Sequence, residues 1–141
     1  MVLDGAHNAA KLEVAIDSAL ALAGDGARVA VIGFLGTKAS PELVRPLAGR
    51  FDRAVATEPR VYGKTPCPAD GTADLLRGAG LPVAVEPDPH AALEAGISAA
   101  GRDGLVLATG SFYLVGDLRE RWYGKRRVVQ ARTSWPLVDE Q

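Results

Sequence analysis

Arg28-Val29-Ala30-Val31-Ile32-Gly33-Phe34 reads as a strand buried on both faces. It is nearly all apolar and partly β-branched, as in the centre of a parallel sheet. Briefer runs at residues 2–3, 53–57, 82–85 and 105–108 repeat the theme. Between them lie helical patterns. Residues 8–23 place Leu12, Ile16, Ala19 and Leu20 on one face, with Gly24 to end the helix. Ser40-Pro41-Glu42 is a helix start, a hydroxyl cap followed by proline at the first helical position, leading to Leu43, Val44 and Leu47. Asp88-Pro89 repeats that start for a helix over 89–100. Residues 70–77 give another, and 112–122, capped by Ser111, close the series.

This alternation predicts a three-layer α/β domain, a mostly parallel sheet flanked by helices on both faces. Right-handed crossovers put every strand-to-helix turn on the carboxyl edge of the sheet, where open α/β folds bind ligands. Residues 4–8, 36–40, 58–68 and 109–111 should therefore share one rim.

At 141 residues the chain fits one domain able to bury a core without staples. A hydrophobic content of 48% and a net charge of -1 describe an ordinary globular protein, with no nucleic-acid or membrane partner expected. A single cysteine, Cys67, cannot close an internal disulfide, so a cytoplasmic location is expected. No apolar run approaches the roughly 20 residues that span a bilayer. Met1-Val2-Leu3 lacks the basic lead and apolar stretch of a signal peptide. The expected division is a domain over 1–123 and a C-terminal extension over 124–141. There Tyr123-Gly124-Lys125-Arg126-Arg127 breaks the last helix, Val128-Val129-Gln130 could add a strand, and 133–141 read as a frayed tail.

The turns carry the candidate chemistry. In Asp4-Gly5-Ala6-His7-Asn8, a carboxylate at a strand end can accept two hydrogen bonds from a ribose diol. Gly5 removes a side chain that would block a nucleotide, and the following helix start offers free N–H groups to phosphate. Spacing alone favours a plain helix entry, with Asn8 as cap, Gly5 as turn, Asp4 near the dipole and His7 on the surface. Lys38, on the loop after the central strand, suits a carboxylate or phosphate, or is simply a solvated lysine. Ser111 is explained by capping alone, worth about 1 kcal/mol, yet the same helix start could receive a substrate carboxylate.

The first turn, with Thr109-Gly110-Ser111-Phe112-Tyr113-Leu114-Val115-Gly116, resembles the C-terminal domain of folylpolyglutamate synthases, members of the Mur-ligase superfamily of ATP-dependent amide-forming enzymes. The resemblance covers residues 2–121. It implies ribose contact for Asp4 and a place beside the ATP phosphates for His7 and Asn8. Ala9 stands where the family's Asp-Gly-Ala-His-Asn-Pro has proline, a mild departure because proline there only stiffens the helix start. The family often has Asp-Lys-Asp where Thr37-Lys38-Ala39 stands. The lost acids put a metal role for that loop in doubt and leave Lys38 as an anchor for glutamate. Ser111 falls on the glutamate side, while Tyr113 and Leu114 read as packing.

The resemblance further implies an ATP-dependent ligase adding L-glutamate to folate, with dihydrofolate synthase activity in many bacterial relatives. In such enzymes a folate carboxylate becomes an acyl phosphate that the glutamate amine attacks, so catalysis is mostly positioning and charge neutralisation. ATP and Mg2+ are held mainly by an N-terminal ATPase domain, which also carries the phosphate loop and most of the folate site. The domain alone is then expected to be inactive until closure against that partner. No catalytic residue or metal ligand is assigned to this chain. Two other readings stand beside this one. One is the C-terminal domain of a Mur peptide ligase, which the Asp-Gly-Ala-His-Asn spelling disfavours. The other is a non-catalytic α/β module docking a nucleotide or protein through the same rim.

Other motifs fail. Tyr62-Gly63-Lys64-Thr65 imitates the end of a phosphate loop, but Glu58 stands where glycine is required, and Pro66 and Pro68 deny the helix start. What remains is a flexible rim loop whose Arg60 and Lys64 could approach an anion. His7, His90 and Cys67 lack metal-ligand spacing.

Overall fold

The computed structural model describes residues 1–124. Strands and helices alternate along them: β1 (Val2–Leu3), α1 (Ala9–Leu20), β2 (Arg28–Ile32), α2 (Pro41–Val44), β3 (Arg53–Ala56), α3 (Ala69–Gly78), β4 (Val83–Val85), α4 (Pro89–Ala100), β5 (Leu105–Thr109) and α5 (Phe112–Arg119). The strands pair in parallel in the order β1-β5-β2-β3-β4. The expected three-layer α/β architecture is the one observed.

Period-two alternation assigns each strand residue to a layer. Ala30, Ile32, Ala54, Ala56, Leu105 and Leu107 pack with Leu12 and Ile16 of α1, Leu43 of α2 and Leu76 of α3. Val29, Val31, Val55, Val106 and Ala108 face Leu93 of α4 and Leu114 and Leu118 of α5. The reason is topological. The crossovers β1→β2→β3→β4 run one way along the sheet, and β4→β5 runs back, so one handedness places α4 on the opposite face.

Several element ends differ from expectation. α1 stops at Leu20, and Leu22 and Ala23 close i→i+3 turns onto Ala19 and Leu20 before Gly24 is reached. α5 stops at Arg119 and tightens in the same way through Trp122. α2 is a single turn passing into a 3-10 turn at Arg45–Leu47, because Pro46 has no N–H to continue the α ladder. Ser40 makes no side-chain cap bond. The Glu42 carboxyl is held below its usual range, first by its own backbone N–H and then by the nearby Ser40 hydroxyl. β2 ends at Ile32, since Phe34 and Leu35 turn away to pair with the 58–68 loop. The expected strand at 128–130 and tail at 133–141 lie outside the described residues.

Candidate functional site

β1 and β5 are neighbours, with Leu3 paired to Ala108, so their carboxyl-end turns meet. The Asp4 N–H donates to the Ala108 carbonyl at 3.0 Å and the Gly110 N–H to the Ala6 carbonyl at 3.1 Å. The Thr109 hydroxyl also reaches that carbonyl, at 3.4 Å. From these joined turns α1 leaves over one face of the sheet and α5 over the other. Such divergence opens a crevice at the strand ends, the position where this class of fold binds ligands.

The candidate residues occupy that rim with different freedoms. Asp4 is half-buried, and its Oδ1 accepts the Ala6 N–H at 2.8 Å. Its second oxygen has no hydrogen-bond donor among the described residues. The His7 Nδ1 lies 3.1 Å from the Gly5 carbonyl. A carbonyl only accepts, so Nδ1 carries the proton and Nε2 is the nitrogen left for a ligand. Nε2 can therefore donate to a phosphate only in the imidazolium form. Asn8 is exposed and caps α1, its Oδ1 accepting the Lys11 N–H at 2.9 Å, which leaves its amide NH2. Ser111 is buried and caps α5, its oxygen accepting the Leu114 N–H at 3.0 Å. Its hydroxyl proton remains to be donated. Leu114 is fully buried, as the packing reading requires.

Lys38 stands somewhat apart. Its N–H donates to the Leu35 carbonyl at 3.0 Å, and its side chain is exposed. Among the described residues no hydrogen bond or ion pair joins it to the other four. Its loop reaches the Thr109-Gly110-Ser111 turn through Phe34, whose ring would stand 3.0 Å from a methyl placed on Gly110.

Gly5 has a neighbour that spacing did not reveal. A Cβ there would lie 2.4 Å from Cδ1 of Phe112, so glycine admits an aromatic ring of the chain itself. That ring also sits 5.0 Å from the His7 imidazole, tilted by 50°. Phe112 is 65% exposed and heads a groove of about 550 Å³ that runs from Asp4 along Ala10, Lys11, Val14 and Ser18 of α1. Asp4 lines the groove; Lys38 and Ser111 do not.

The 58–68 loop is tied down rather than free. The Arg60 guanidinium pairs with Asp88, and the Arg60 backbone N–H donates to the Asp117 carboxylate at 2.8 Å. Burial pushes the Asp117 carboxyl above its usual range, and the Arg60 N–H and charge only partly offset this. Further along, the Gly36 N–H bonds the Thr65 carbonyl and the Cys67 N–H bonds the Phe34 carbonyl. Arg60 is thus engaged by protein carboxylates and is not poised for an anion, which corrects the sequence expectation. No periodic pattern could have announced the pairing of Arg60 with Asp117.

Among the described residues, no three His, Cys, Asp or Glu side chains converge as a metal centre would, and no helix is long and apolar enough to cross a membrane. A family model described as Mur ligase, glutamate ligase domain, matches residues 1–112. The chain belongs to this family. No curated protein sequence matches it. Solved structures do. The glutamate ligase domain superposes on the bifunctional folylpolyglutamate synthase/dihydrofolate synthase of Yersinia pestis with a TM-score of 0.71 at 23% identity, over 84% of this chain and 28% of that one. E. coli FolC in complex with DHPP and ADP gives 0.71 at 25% identity, over 92% and 28%. The folylpolyglutamate synthase of Thermotoga maritima gives 0.67 at 29%, over 83% and 26%. The glutamate ligase domain therefore spans just over a quarter of the length of these enzymes.

Proposed function

We propose that the chain is the C-terminal domain of an ATP-dependent ligase that adds L-glutamate to a folate, of the folylpolyglutamate synthase kind. The observation that carries this reading is the junction of the two turns at the Ala6 carbonyl, which sets Asp4 and Ser111 on one rim. Asp4 offers its unengaged oxygen to a ribose diol, while the Asn8 amide, and His7 Nε2 in the imidazolium form, donate beside the phosphates. Ser111 and Lys38 serve the glutamate carboxylates as donor and cation. The roles assigned to these groups are binding and orientation.

ATP and Mg2+ are held mainly by an N-terminal ATPase domain, and L-glutamate and folate are the other ligands. The ATP side fits this chain in part, through the free Asp4 oxygen and the outward His7 nitrogen. The fit for Mg2+ is poor, since no converging acidic cluster stands on the described rim. The Y. pestis enzyme has also been solved with AMPPNP and Mn ion, and a bifunctional folylpolyglutamate synthase/dihydrofolate synthase with Mn, AMPPNP and L-glutamate bound, which supports a nucleotide, a divalent ion and glutamate for the complete enzyme. Residues 1–123 form the ligase unit, and the expected setting is the cytoplasm.

The test is to mix the 141-residue chain with a separate folylpolyglutamate synthase ATPase domain and measure ADP release that depends on L-glutamate. Release requiring both proteins and a folate acceptor is expected, with neither protein active alone. Release with a UDP-muramoyl acceptor instead would move the chain to the peptide-ligase branch. No release with a competent partner would leave a non-catalytic module.

A further inference from the structure

The 58–68 loop crosses the rim between β3 and α3 and is fastened at both ends. At its start, the Glu58 N–H bonds the Pro87 carbonyl at 3.3 Å, and Arg60 grips Asp88 of the α4 cap and Asp117 of α5. At its end, Thr65, Pro66 and Cys67 pair with residues 34–36 after β2. Only the tip is left. Tyr62 is fully exposed there, and Gly63 turns the chain at a φ of 74°. The tip sets the Lys64 ammonium 5.4 Å from the centroid of the Tyr113 ring. Lys64 is exposed, and no carboxylate among the described residues pairs with it. Tyr113 is two residues beyond Ser111.

We infer that Arg60 is a positioning residue that straps the 58–68 loop shut, and that the strap presents Lys64 as a further cation for an anionic group of the amino-acid substrate at the Ser111 end of the rim. A surface lysine held on an aromatic face keeps its charge and gives up little solvation, so it can move to a carboxylate at small cost. Were the strap free, the same lysine would have to be ordered at each binding event, and affinity would fall. The role of Lys64 rests on the ligase reading above, whereas the strap and its contacts do not.

Two measurements test this separately. Hydrogen exchange on the intact 141-residue chain should show the Arg60 and Glu58 amides protected, and Asp117→Ala, alone or combined with Arg60→Ala, should expose them and the tip without changing exchange in β2 and β5, because Arg60→Ala by itself keeps the backbone N–H bond to Asp117. Equal exchange in wild type and both variants would overturn the strap. In the two-domain mixture, Lys64→Gln should raise the KM for L-glutamate about ten-fold with kcat and the KM for ATP little changed, and Lys64→Arg should restore it. Arg60→Ala should raise the same KM, and the double variant should add nothing to Lys64→Gln. An unchanged glutamate KM in Lys64→Gln would overturn the assignment of Lys64. A wild-type mixture that releases no ADP would defeat the ligase reading and Lys64's role with it, while the strap would still be judged by exchange.

Discussion

The Gly110 N–H donates to the Ala6 carbonyl at 3.1 Å. Together with the Asp4 N–H on the Ala108 carbonyl and the Thr109 hydroxyl on the Ala6 carbonyl, this bond holds the turn after β1 against the turn after β5, and with it Asp4 on the same rim as Ser111. Gly110 has a φ of 116°, and a methyl there would lie 2.6 Å from the Gly33 carbonyl oxygen. The position therefore demands glycine for its backbone angle and for its space.

Gly110→Ala should cost roughly 2–4 kcal/mol, because strained backbone and a backbone clash act together. Gly5→Ala should cost about 1 kcal/mol or less, since the obstructing group is the ring of Phe112, which is 65% exposed and can swing aside. Urea unfolding of the two variants checks the order. In Gly5→Ala the His7 ring protons should also lose the ring-current shift that the Phe112 contact produces.

Asp88 caps α4 through the Ala91 N–H at 2.8 Å, and that bond, followed by the Arg60 charge, holds its carboxyl below the usual range. A depressed carboxylate contributes stability above its unfolded value and loses it as pH falls through the folded one. Asp88→Ala should therefore cost about 1 kcal/mol at neutral pH, with the deficit vanishing in acid. Thermal unfolding of wild type and variant across the acid range measures this.

Asp117 has the opposite sign. Burial raises its carboxyl, so its ionised form weighs against the fold once pH passes the folded value. Asp117→Asn keeps an acceptor for the Arg60 N–H and removes the charge. The variant should melt higher than wild type at neutral pH, and the two should converge in acid. A variant that melts lower at neutral pH would show that the charge-assisted bond from Arg60 outweighs the desolvation.

Most of the fold was legible in the apolar runs. β2 and β5 carry side chains buried toward both layers, and such strands need no long-range information to be recognised. The capping residues Asn8, Asp88 and Ser111 each make the backbone bond that their position predicts. Ser40 makes no side-chain cap bond. The rim was legible as a set of turns. What each turn touches was not: the ring over Gly5 and the grip of Asp117 on Arg60 join residues far apart in sequence, and neither leaves a periodic trace.

The most direct test of the shared rim separates its two ends in the mixture with an ATPase domain. Asp4→Asn keeps an acceptor for the Ala6 N–H and replaces the oxygen assigned to the ribose, while Ser111→Ala removes the hydroxyl assigned to glutamate. The account predicts that Asp4→Asn raises the KM for ATP alone and Ser111→Ala the KM for L-glutamate alone. Unchanged values for both substrates in both variants, with folding intact, would contradict it.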